Sequence, residues 1–259
     1  MFVRRMIAHF RGQTWTPKEF TTVGVDLVIV VLGVFIATQV ADWSAREADK
    51  RRGEAYVQRL IADVERDLTG RRDSLAYYEA VNDGALQANT LLHEASPDPR
   101  ALVIAAYRAT EYSYNPATRS TWDEIVSSGD IGLLPPRAAP ILTGYHSVDV
   151  SLDTREIFRA APYRTRVRGL ISFEVQNAIR NGCSDARSAD GNFGGFSTEC
   201  QLEGVSDAEI AASAQALRRD PDVRAELRNQ ISELAAVRGN FGGDIAILEA
   251  ALEALRAAQ

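Results

Sequence analysis

The residues able to do chemistry are few and far apart. The chain has three histidines and two cysteines. His146 follows Tyr145 and precedes Asp149 and Asp153, and His93 adjoins Glu94. One imidazole among carboxylates suits a weak metal site or acid-base chemistry. Yet the sequence has no His-Glu-x-x-His, Gly-x-Ser-x-Gly or Ser-x-x-Lys pattern and no second convergent histidine. No catalytic residue, metal ligand or cofactor is therefore assigned, and an enzyme of unknown class stays a third reading.

Arg155, Arg159, Arg164, Arg166 and Arg168 crowd into TREIFRAAPYRTRVRGL, where Glu156 alone offsets them. Guanidinium groups at this density can receive a small anion, a lipid headgroup or an acidic partner. They can equally form a solvated face paired with acids of neighbouring helices. Cys183 and Cys200 flank the glycine-rich loop spanning 181–205, and in an oxidising compartment they would close it as a disulfide. Two unrelated thiols are the alternative. The pentapeptide Gly-Asn-Phe-Gly-Gly occurs at 191–195 and at 239–243 without agreement in its flanks, which reads as coincidence.

These groups sit on a chain of 259 residues with net charge −6, ample for a sizeable core. An acidic balance without a basic tail argues against nucleic acid as a partner. One stretch departs from ordinary globular composition. Val23 to Val40 reads VGVDLVIVVLGVFIATQV, 18 residues with a single charge and no proline. As a helix it spans roughly 27 Å, close to the ~30 Å hydrocarbon core of a bilayer. A buried core helix is the alternative, but Trp15, Phe20 and Trp43 fall where interfacial aromatics belong. The organisation expected is an amphipathic interfacial segment over 1–20, a transmembrane helix over 21–43 and a helical extramembrane domain over 44–259. Arg4, Arg5, Arg11, Trp15 and Trp43 would anchor the chain at the membrane surface. A signal peptide starts in a similar way, but here the apolar part is long and no clean small-x-small cleavage site follows, which favours an uncleaved anchor.

Asp26, Val30, Gly33 and Ala37 share one face of that helix, and Gly33-x-x-x-Ala37 lets a second helix approach closely. The expected partners are the lipid bilayer and another membrane protein or a second copy of the chain, unless Asp26 only reaches for the headgroups. Basic residues do not decide orientation: four precede the span (Arg4, Arg5, Arg11, Lys18) and five lie in the twenty residues after Trp43 (Arg46, Lys50, Arg51, Arg52, Arg59). The amphipathic start and the cysteine pair favour a cytoplasmic N-terminus and a periplasmic domain.

The block from Val23 to Leu68 resembles a family of uncharacterised bacterial single-span membrane proteins that share a domain of unknown function. The resemblance rests on Asp26, Gly33, Val34, Ile36, Ala37, Gln39 and Trp43, and on Ser128, Gly129 and Tyr145 in a second block, TRSTWDEIVSSGDIGLLPPRAAPILTGYH. It covers about the first 150 residues. The family more often has Glu at the position of Asp26, and the cysteine loop is not one of its features. The resemblance implies an anchored helical domain in a bacterial inner membrane and adds no catalytic residue.

Beyond Trp43, Val57, Leu60, Ile61, Val64 and Leu68 repeat at helical spacing, which predicts a long stalk interrupted near Gly70 and Gly84 and ended by Pro97 and Pro99. A short helix over 100–110 follows, then a capping box from Thr121 to Glu124 with a stop at Gly129. Pro135 and Pro136 begin a helical tract to about Arg180 with one break near Pro162. Ser206 and Glu209 cap the next helix, and Pro221 opens the last. No stretch alternates with period two, so the class is all-α: a transmembrane helix continued by a stalk into a helical bundle. The function expected is non-catalytic interaction work by an accessory or scaffolding subunit of a membrane complex. A periplasmic anion sensor using the arginine cluster is the alternative.

Overall fold

The computed structural model describes residues 17–183, 185–187, 193–196 and 200–258. It is all-α apart from one small hairpin. The helices are α1 (Pro17–His93), α2 (Pro99–Arg108), α3 (Ser120–Ser128), α4 (Ala138–Ser147), α5 (Val150–Arg159), α6 (Pro162–Leu170), α7 (Phe173–Gly182), α8 (Asp207–Arg219) and α9 (Val223–Arg256). The chain divides into two compact units, Met1–Gly53 and Glu54–Gln259, and α1 belongs to both. In the first unit the side chains described from Val25 to Val40 are exposed, and among the described residues one helix is long and apolar enough to cross a membrane.

The second unit is organised by α1 and α9. Arg256 pairs with Glu65 (2.6 Å), Arg72 with Glu249 (2.7 Å), Arg71 with Asp244 (2.9 Å), and Arg224 donates to the Leu92 carbonyl (2.6 Å). Numbers rise along one helix as they fall along the other, so the pair is antiparallel. Two apolar clusters lie along it. One gathers Tyr56, Leu60, Val64, Trp122, Leu142 and Leu248, and the other Tyr78, Leu92, Tyr107, Phe158, Tyr163 and Phe241. Between them, on both long helices, the buried positions are polar: Asp67, Arg71 and Ser74 on α1 and Asp244 on α9.

Local signals held in part. Helix α1 runs unbroken through Gly70 and Gly84, because an interior glycine costs only about 1 kcal/mol and tertiary packing overrides it. It ends at His93, ahead of the prolines, and Pro99 instead supplies the first turn of α2 with Asp98 as N-cap. Ser206 and Glu209 form the capping box in full, and Gly129 takes the left-handed conformation (φ 74°) that closes α3. Thr121 does not cap. Arg119 is the N-cap residue, Thr121 is buried two residues inside the helix, and Glu124 binds Arg59 (2.5 Å). The tract after Pro136 is four helices rather than two. Asp149 caps α5 by accepting from the Leu152 amide (3.0 Å), and Ser172 caps α7 by accepting from Val175 (3.4 Å).

The expected cysteine loop carries two antiparallel strands, β1 (Asp185–Arg187) and β2 (Phe193–Phe196). Residues 193–195 of the first Gly-Asn-Phe-Gly-Gly copy are therefore strand, whereas the second copy is helix within α9. Tertiary surroundings decide the fate of that pentapeptide.

Candidate functional site

Four sets of residues were singled out by sequence, and the structure treats each differently. In the apolar stretch, residues 26, 30, 33 and 37 are all helical, at spacings of four, three and four that align them on one face. Val30 is 62% exposed, and a Cβ built on Gly33 would meet nothing within 4 Å. The side chain of Asp26 lies outside the described residues, as do Arg4, Arg5, Arg11 and Trp15. Trp43 is described and is 66% exposed.

The five arginines do not ring one anion site. Arg155 and Arg159 both bind Glu156 (3.5 and 2.8 Å), and Arg155 also lies over the Tyr114 ring (5.1 Å). Arg166 meets Glu226 (2.7 Å), Asp220 (3.4 Å) and Asp222 (3.2 Å), and the hydrogen bond to Glu226 pushes its pKa up. Arg164 donates to the Thr110 carbonyl (2.5 Å), Arg168 to the Thr110 hydroxyl (2.7 Å), and these two lie over the rings of Tyr112 and Tyr107. Burial lowers the pKa of Arg168. Their common target is the irregular segment 109–119 between α2 and α3. Buried irregular backbone needs partners that no helix supplies, and here side chains supply them. Tyr78 donates to the Ser113 carbonyl (3.1 Å), Gln230 to that of Ala109 (2.9 Å) and Arg71 to that of Asn115 (2.7 Å). Tyr77 and Tyr78 are buried in the core, whereas Tyr114 is 44% exposed beneath Arg155.

The polar layer between the two clusters was not legible beforehand. Arg71, 2% exposed, binds Asp244 and the Asn115 carbonyl. The Tyr145 hydroxyl donates to Asp67 (3.1 Å), which also accepts from the Thr118 amide (2.9 Å). Asn115 closes the set by donating to the Gly70 carbonyl (3.2 Å), and a Cβ on Gly70 would meet its Nδ2 at 2.7 Å. That close approach gives Gly70 its place in an unbroken helix. Burial raises the pKa of Asp244 against the pull of Arg71.

At the edge of this layer sits His146. Its ring stacks on Trp122 (5.0 Å between centroids, 18° between planes) and meets the edge of Tyr145 (4.9 Å). It is 9% exposed, and its Nδ1 has no hydrogen-bond partner, nor has Oδ2 of nearby Asp63. Burial, with Arg119 beside it, lowers its pKa to about 4 despite Asp123 and Asp63. The carboxylates around it are thus on α1 and α3, not the Asp149 and Asp153 that adjoin it in sequence. His146 lines none of the three cavities described, and no group of three or more His, Cys, Asp or Glu able to hold a metal occurs among the described residues. His93 is exposed, its Nδ1 against the Asn89 carbonyl (2.7 Å).

Cys183 and Cys200 are joined, with Cα atoms 4.7 Å apart. Arg108, buried on α2, ties the crosslinked hairpin to the body. It donates to the Cys183 carbonyl and to Glu111 (2.7 Å), and it lies over the Phe196 ring (4.1 Å). Burial raises the pKa of Glu111. Phe193 and Phe196 both pack edge-on against Tyr77 (5.0 and 5.4 Å). A side chain on Gly182 would strike the backbone of Gln201, so that glycine lets the returning chain pass.

In comparisons with known proteins, no family model, no curated protein and no solved structure matches the chain.

Proposed function

We propose that this is a single-pass membrane protein whose helical domain serves interaction, as an accessory or scaffolding subunit of a membrane complex. The observation that carries the reading is the apolar part of α1, whose described side chains from Val25 to Val40 find no protein cover. Water penalises that surface and a lipid phase does not. Along it Gly33 is open, so a second span could approach at the distance that small residues allow. The partner is another membrane protein or a second copy of this chain. The crosslinked hairpin suits a periplasmic location, with the N-terminus in the cytoplasm of a bacterial cell.

Two experiments test this. After alkaline carbonate washing of membranes the chain is expected in the pellet, and recovery in the supernatant would refute the anchor. Asp26→Leu with Gly33→Leu is expected to release co-purifying membrane proteins in gentle detergent while the chain stays in the membrane. If the same set of proteins still accompanies it, that face of the helix is not the interface.

A further inference from the structure

Three arginines outside the 155–168 cluster, Arg218, Arg219 and Arg224, border one open cleft. Helix α8 turns Ile210 and Leu217 toward the core, and another side of it borders this open cleft of about 620 Å³, flanked by the turn at Pro97 and Pro99 and by the start of α9. Arg218, Arg219 and Arg224 line it, Gln215 and several alanines of α8 form the rest, and no Asp or Glu is among the lining residues described. Arg218 donates to the carbonyls of Glu94 (3.1 Å) and Ala95 (2.9 Å), and Arg224 to that of Leu92. These bonds draw two guanidinium groups to the C-terminal end of α1 and leave most of their N–H donors over, since each carries five. The Nε of Arg218 is buried with no acceptor. Arg219 is exposed and has no hydrogen bond or ion pair among the described residues.

The charge balance is one-sided. The ends of α1 and α8 contribute about half a negative charge each and the start of α9 about half a positive one, against three full positive charges on the arginines, while the neighbouring Asp220 and Asp222 are taken up by Arg166, so a positive excess remains. Guanidinium groups bind tetrahedral oxyanions through paired N–H donors, and alanine walls accept a small apolar body without competing for the anion. A volume of this size holds a small metabolite rather than a lone ion.

We infer that the cavity bordered by Arg218, Arg219 and Arg224 is a binding site for a small soluble molecule that carries a phosphate group. The site is independent of the membrane reading, because every residue in it belongs to the second unit.

The test is calorimetric titration of the full chain in neutral maltoside detergent at low salt, with glycerol 3-phosphate as probe and glycerol as its uncharged control. Saturable binding of the phosphate compound alone is expected. Arg219→Ala, which removes no protein contact, should weaken it by about tenfold, as expected for one charged hydrogen bond. Arg219→Lys should keep most of it, and Arg159→Ala, in the other arginine cluster, should leave it unchanged. Absence of binding up to about 10 mM, where affinity would be only about 3 kcal/mol, overturns the site. So does binding that is indifferent to Arg219→Ala. In nanodiscs the probe should still bind when the lipid is phosphatidylglycerol. Loss of binding there but not in phosphatidylcholine would overturn the soluble ligand and assign the phosphate to a lipid headgroup.

Discussion

His146 makes the domain sensitive to acid in a way that can be measured. Its imidazole is neutral in the folded chain because burial between Trp122 and Tyr145 leaves its Nδ1 unpartnered and holds its pKa at about 4. In the unfolded chain it returns to about 6.5. As pH falls below about 6.5 the unfolded chain takes up a proton that the folded chain refuses, so stability is lost across the window from 6.5 to 4 and the loss levels off below it. The gap between the two values, at about 1.4 kcal/mol for each tenfold change in proton affinity, amounts to about 3 kcal/mol. Substituting His146→Phe keeps a ring against Trp122 and removes the titrating group. The assay is urea unfolding of both proteins followed by far-ultraviolet circular dichroism between pH 7.5 and 3.5. The wild type should lose about 3 kcal/mol more than the variant over that range. Asp244 and Glu111, whose raised pKa values act in the opposite direction, titrate in both proteins and cancel in the difference. Two parallel curves would show that His146 does not resist protonation and would refute the reasoning.

Other outcomes follow from the packing. Replacing both cysteines by serine releases a loop with a sequence separation of 17 and should cost about 3 kcal/mol, read as a lower unfolding midpoint that reductant reproduces in the wild type. Arg71→Met or Asp244→Leu alone should each cost about 3 to 5 kcal/mol by stranding a buried charge, whereas the double variant should cost clearly less than their sum in a double-mutant cycle. Gly239→Ala, Gly242→Ala and Gly243→Ala should each raise stability by about 0.5 to 1 kcal/mol, since a Cβ at any of them meets open space within a helix. A destabilised alanine variant would mean that this face of α9 is already covered.

What the sequence disclosed and what it hid divide along chain distance. The apolar stretch, the Ser206 to Glu209 box and the stop at Gly129 are decided within a few residues, so the pattern there is sufficient. Four helices between Pro136 and Cys183 looked like two, because apolar spacing carries on across the caps at Asp149 and Ser172. The Thr121 to Glu124 pattern misled for the opposite reason: a tertiary partner, Arg59, takes the glutamate. The polar layer was illegible because Arg71 and Asp244 are 173 residues apart and look like ordinary charged positions on amphipathic helices. The Arg218, Arg219 and Arg224 cavity was hidden in the same way, although a run of arginines at the end of a helix just before Asp-Pro-Asp could have drawn attention to that turn.

The pairing of Arg71 with Asp244 also restricts how the two long helices can move. Sliding α9 by one turn, about 5.4 Å, would carry Asp244 to the level of either Phe241 or Leu248, and each of those belongs to an apolar cluster. Arg71 would then face a hydrocarbon side chain with no water to replace the lost carboxylate. Neighbouring registers are therefore forbidden in both directions, and the pair works as a lock against piston-like shear. Any rearrangement that a partner or ligand imposes on this domain has to proceed by tilting or bending, or through the shorter helices, while the long axis keeps its alignment.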